Sequence, residues 1–147
     1  MKKQKKIKIH VKNNHWAPGS FPSDAEGEKN FTITKEHLDK ALKNFPEIKE
    51  KIEIFIDWDE DNFKTSMSNS DILLAWNFST ANLKKIAPNL KWIHLISAGV
   101  EHLLPLDWMF DNLVLTNSSG VHAENAGEYG LMSILMLQRH MTKIITN

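Results

Sequence analysis

Ser97-Ala98-Gly99-Val100 is the stretch whose residue types and setting could do chemistry. It follows the apolar run Lys91–Ser97, which reads as a strand, and opens a short helical turn, Gly99–Leu104. Main-chain N–H groups at such a turn have no local acceptor and aim at an anion. Gly99 adds room for a close approach of the backbone. The chemistry this predicts is the holding of a carboxylate or similar small anion. The plainer reading is a tight turn whose glycine serves geometry alone.

Other reactive residue types fall into no pattern. His10, His15, His37, His94, His102, His122 and His140 show no metal-ligand spacing, and no metal is expected. His94, inside a strand, is expected in the core or on the sheet face, and His102 in packing or at the surface. Asp57, Asp59, Glu60 and Asp61 form an acidic run. A phosphoacceptor domain would need acids after its first strand and an Asp after its third, where Lys12-Asn13-Asn14 and Asn77 stand. A flavin phosphate loop would be rich in Ser, Thr and Gly after strand one, and Asn13–Ser20 is a poor version. Trp16, Trp58 and Trp76 could stack on a flat ligand, although aromatics at strand ends are more often packing.

The elements that must hold these residues follow from periodicity. Ile7–Val11, Ile52–Trp58, Asp71–Trp76, Lys91–Ser97 and Leu113–Asn117 read as five strands. The third is continuously apolar, which suits a parallel sheet covered on both faces. Thr34 reads as the N-cap of a helix carrying Leu38, Ala41, Leu42 and Phe45, ended or kinked by Pro46. Asp59–Ser70 reads as a loop with a weak helical turn, and Ser79 or Thr80 as the cap of a helix through Ala87. Pro105 breaks the turn after Gly99, and Trp108 and Phe110 anchor the connection. A final helix runs from His122 to about Ile144. Alternating strands and helices predict an α/β fold, a doubly wound five-stranded parallel sheet with a long C-terminal helix. Ligands of such sheets lie beyond the carboxyl ends of the strands, here the loops beginning at Asn13, Asp59, Asn77, Ser97 and Asn117. Asn13–Asn30 is long for a loop and reads as a partly ordered lid.

The 147 residues suit one domain, and 18 basic against 18 acidic residues argue against a general nucleic-acid binder. The absence of cysteine excludes disulfides and thiolate chemistry and fits a cytoplasmic protein. Lys2, Lys3, Lys5 and Lys6 read as a solvated tail, and no run is long enough for a membrane helix.

Ser97-Ala98-Gly99-Val100-Glu101-His102-Leu103, then Thr116-Asn117-Ser118-Ser119-Gly120-Val121-His122-Ala123 and Gly127-Glu128-Tyr129, resemble the D-isomer-specific 2-hydroxyacid dehydrogenases. The resemblance covers most of the chain after Thr34. It implies a flavodoxin-like substrate-binding domain over residues 1–121 and an interdomain and dimerisation helix over 122–147. It implies a parent oxidoreductase of the phosphoglycerate dehydrogenase or glyoxylate/hydroxypyruvate reductase type. In full-length members NAD or NADP sits in a Rossmann coenzyme domain, which is expected to be absent here, as is bound cofactor. The family's catalytic Arg, Glu and His belong to that lobe, so no catalytic residue is carried over and the chain alone is expected to be inactive. What carries over is substrate binding: a 2-hydroxy or 2-oxo acid held by main-chain N–H groups at Ala98, Gly99 and Val100, with Trp76, Asn77 and Phe78 as a second wall. The alternative is a non-catalytic flavodoxin-like module kept for dimerisation or interaction.

The last helix bears on that alternative. Leu131, Met132, Ile134, Leu135, Met136 and Leu137 leave only Ser133 between them, where a surface helix would show a polar face. An uncovered apolar helix marks an association site. The expectation is a homodimer through Glu124–Thr146, with exchange of helices as one form of it.

Overall fold

Five strands pair in the order β2-β1-β3-β4-β5. They are β1 (Ile7–Asn13), β2 (Ile52–Trp58), β3 (Ile72–Ala75), β4 (Trp92–Leu95) and β5 (Val114–Thr116). All four ladders are parallel. The computed structural model describes residues 5–17, 19 and 29–145. Most of the expected lid, the first lysines and Thr146 lie outside the described residues. This is the doubly wound α/β architecture with the flavodoxin-like strand order.

The register assigns each side chain to a face. Leu73, Ala75, Ile93 and Leu95 share one face and are fully buried. Against them pack α3 (Phe63–Met67), α4 (Leu83–Ile86) and the loop residues Phe78, Leu90, Leu103 and Leu113. The other face carries Ile9, Val11, Ile54 and Ile56 on β1 and β2, and Ile72, Leu74, Trp92, His94, Val114 and Thr116 on β3 to β5. The helix α1 (Lys35–Leu42) covers β2 on that side, where Leu38 and Leu42 line a groove with Ile52, Ile54 and Ile56. Handedness explains the division. The β1→β2 connection runs one way along the sheet and the later crossovers the other, so right-handed connections put their helices on opposite faces.

Local chemistry sets the helix boundaries. Thr34 caps α1 through a box in which its hydroxyl accepts from His37 N–H at 3.2 Å and the His37 ring returns to the Thr34 N–H. Pro46 does more than end that helix, because it occupies the first turn of α2 (Pro46–Lys49). In the segment read as a loop, Asp59–Ser70, Phe63 and Met67 stand one helical turn apart and are the buried face of α3. The helix expected from Ser79 or Thr80 to Ala87 is shorter. It starts after Asn82, whose φ of 57° is left-handed, so the chain cannot be helical through that residue. The expected helical turn after Gly99 is a single 3-10 turn, Glu101–Leu103, followed by another at Leu106–Trp108. Trp108 and Phe110 pack against the core, and the Trp108 indole N–H donates to Leu103 O at 2.9 Å.

The last helix is broken. The helix α5 (Ala123–Gln138) ends at Arg139, His140 takes a φ of 52°, and α6 (Met141–Ile145) follows. No residue of α5 is buried; Tyr129, Leu131, Ile134 and Leu137 are each at least 60% exposed. No helix among the described residues is long and apolar enough to cross a membrane.

Candidate functional site

β4 delivers the chain to Ser97, and from there every carbonyl as far as Val100 is occupied. Ser118 N–H donates to Ser97 O at 3.0 Å, Asn117 Nδ2 to Ala98 O at 2.7 Å, Ser97 Oγ to Gly99 O at 2.8 Å and Leu103 N–H to Val100 O at 3.0 Å. The amides behave oppositely. Among the described residues, no acceptor meets the main-chain N–H of Ala98, Gly99 or Val100. Pinned carbonyls and free donors make the loop electropositive without a formal charge. Ala98 is exposed and Gly99 and Val100 are half-buried, so the loop is an open ledge and not a closed pocket. The donors belong to the loop itself, since the three-residue turn that follows is too short for helix alignment to add much.

What faces Gly99 is the end of a flexible, exposed side chain that can swing aside, so the glycine is not required for space. A Cβ there would overlap the Glu101 carboxylate, which lies against the Gly99 Cα. The loop therefore already has an anionic side chain of its own beside it.

Trp76, Asn77 and Phe78 leave β3 next to this ledge but play different parts. Trp76 is half-buried, its ring edge-on to Trp16 at 5.5 Å and Phe31 at 4.9 Å, and its carbonyl meets His102 Nε2 at 2.8 Å. That contact ties the β3 end to the turn after Gly99. Asn77 is exposed, and its carbonyl accepts from Lys12 Nζ at 2.8 Å. Phe78 turns into the core, 5.6 Å from Trp108 and 6.5 Å from Phe63, so its side chain is packing and cannot face the ledge.

Two features escaped the reading of the sequence. Lys12 is buried at the end of β1, between the Asn77 carbonyl and the Glu60 carboxylate at 3.5 Å. It sits where strand order switches between β1 and β3, and its position among polar residues gave no sign of burial. The second is a pair at the end of β2. Asp59, with a left-handed φ of 48°, accepts from His15 N–H at 3.0 Å and holds the His15 ring through Nδ1, and that ring stacks on Trp58 at 4.4 Å. Burial acts to raise the Asp59 carboxyl, but the two His15 hydrogen bonds and the charges of His15 and Lys12 outweigh it and hold the group below its ordinary range. A carboxylate-oriented imidazole can move protons.

Among the described residues no group of three or more His, Asp or Glu is placed to hold a metal ion. His94 is a sheet-face residue, bonded through Nδ1 to Thr116 Oγ1 at 2.9 Å.

Fold and ledge together define a class: a doubly wound α/β domain with acceptor-free amides, among the described residues, at the carboxyl end of its sheet. No family model and no curated protein matches the sequence. Among solved structures the chain is similar to a D-isomer-specific 2-hydroxyacid dehydrogenase family protein from Klebsiella pneumoniae 342, with 20% identity and a TM-score of 0.51. The match covers 99% of this chain and 39% of that one. At this identity the likeness carries the fold, and this chain corresponds to well under half of the other protein.

Proposed function

We propose that this chain is the acid-holding part of a 2-hydroxyacid dehydrogenase. It would grip the carboxylate of a 2-hydroxy or 2-oxo acid with the amides of Ala98, Gly99 and Val100, while Trp76 and Asn77 bound the same space. The observation that carries the reading is the contrast between occupied carbonyls and free N–H groups along Ser97–Val100. A nicotinamide cofactor, NAD or NADP, supplies the hydride in such a reaction. The oxo acid takes hydride at carbon and a proton at oxygen to become the hydroxy acid. Gly127 and Gly130 lie inside α5, with no strand leading into a glycine turn there, so these two do not form a dinucleotide-binding turn. Orientation of the acid is the share of the work assigned to this chain, and cofactor binding and proton transfer belong to a second lobe.

Titration of glyoxylate or hydroxypyruvate into labelled protein tests this. The amide resonances of Ala98, Gly99 and Val100 are expected to move together with one saturating curve, and no turnover with NAD(H) is expected from the chain alone. Shifts confined to other loops, or turnover by the pure chain, would refute the reading.

A further inference from the structure

We infer that Lys12 and His102 are positioning residues of the acid site, an assignment that rests on the acid-holding reading above. Neither is assigned a contact with the acid. They clamp the end of β3 from two sides and fix Trp76 and Asn77 in register with the amides of Ala98, Gly99 and Val100.

The clamp closes on two consecutive carbonyls. Trp76 O accepts from His102 Nε2 at 2.8 Å, and Asn77 O accepts from Lys12 Nζ at 2.8 Å. A carbonyl oxygen can only accept, so His102 Nε2 carries a hydrogen whichever charge the ring holds. The register of β3 with both its neighbours stops at Ala75. Beyond that point the two carbonyls are held by side chains from remote parts of the chain.

The burial of Lys12 shows what the clamp is for. Its side chain is 2% exposed, and an ammonium that deep needs partners. Those partners are Asn77 O and the Glu60 carboxylate at 3.5 Å. An apolar side chain of similar length would fill the space with no charge to satisfy. It could not donate to Asn77 O. Glu60 carries the restraint one step further, because its Oε1 also accepts from the Ser79 N–H at 3.2 Å. Phe78, between them, is sunk in the core against Phe63 and Trp108. Residues 76 to 79 are thus restrained one after another, by His102, Lys12, the core and Glu60.

His102 acts from the other side. It belongs to the 3-10 turn Glu101–Leu103 that follows the ledge. Leu103 in that turn is buried, and its N–H donates to Val100 O at 3.0 Å. Turn and ledge are therefore one hydrogen-bonded piece, and the bond to Trp76 O links the row of amides to the opposite wall. A site assembled from two strand ends binds more tightly when those ends are already fixed relative to each other.

Glyoxylate titration of the labelled full chain, read at the Ala98, Gly99 and Val100 amides, tests the assignment when urea unfolding is measured alongside. His102→Ala, at an exposed position, should keep the parent's urea midpoint and bind about tenfold more weakly. His102→Gln supplies a side-chain amide N–H in place of the imidazole N–H and should restore binding. Lys12→Met combined with Glu60→Gln removes both charges together. Its urea midpoint should stay close to the parent's, since a buried ion pair exchanged for uncharged groups is often neutral, yet binding should again fall about tenfold. Equal affinity in the parent, His102→Ala and the double variant overturns the assignment and leaves the ledge standing. So does an affinity that follows the urea midpoint across the set, because Lys12 and His102 would then serve stability alone. A parent whose three amides do not respond to glyoxylate removes the acid-holding reading, and the assignment falls with it.

Discussion

Glu101 brings a carboxylate against the Gly99 Cα, beside the amides proposed to hold an acid. Two like charges a few ångströms apart near a protein surface repel by about 1–4 kcal/mol. Glu101→Gln keeps the shape and removes the charge, and is expected to tighten glyoxylate binding about tenfold in the amide titration. Unchanged affinity would place the ligand away from this side chain. His10 makes a second point at this scale. It is fully buried, both ring nitrogens lack partners among the described residues, and the rings of Phe55 and Phe63 stand 5.6 and 5.7 Å away. Burial pushes its imidazole down to about 4, with Lys12 adding to the effect and Asp57 opposing it. The folded protein therefore refuses a proton that the unfolded chain accepts below about pH 6.5. Stability from this group is complete above that pH, falls as pH drops toward 4, and levels off below, for a total loss of about 3 kcal/mol. Urea unfolding at pH 7 and pH 4.5 measures it, and His10→Leu should flatten the slope in that window. A slope that survives the substitution would assign the acid sensitivity to other groups.

At the scale of elements, α3 shows what one helical turn can supply. Its buried face is Phe63 and Met67 alone, yet these close the core over β3 and β4. Phe63→Ala should cost about 3–5 kcal/mol in chemical denaturation, while Lys64→Ala, exposed beside it, should cost almost nothing. Equal effects would mean that α3 is not anchored through that face. The five strands were legible in the sequence because each is an apolar run with turn residues on both sides, and Ile52–Trp58 matches its predicted bounds. The capped start at Thr34 was legible because hydroxyl capping is a local matter. α3 was not, since two apolar residues in a polar segment carry little periodic signal. The left-handed residues Asn82 and His140 shorten one helix and break another, and neither position carries a glycine to mark it in the sequence. The Ser97–Val100 loop could be located by its glycine, but the Glu101 carboxylate over that glycine could not be foreseen. Nor could the inward turn of Phe78, two residues beyond a half-buried tryptophan.

At the scale of the whole molecule, the described residues cover one face of the sheet fully and the other only in part, and none of them buries a residue of α5. Strand order carries a further consequence. β1 is an interior strand, made before either of its neighbours, β2 and β3, which are complete only once residues 58 and 75 have been made. Until then Ile7, Ile9 and Val11 stand as an unpaired apolar edge on a growing polypeptide, the kind of segment that sticks to its like or is sheltered by a chaperone. Early synthesis, before β3 exists, is thus when this chain is most exposed to misassembly.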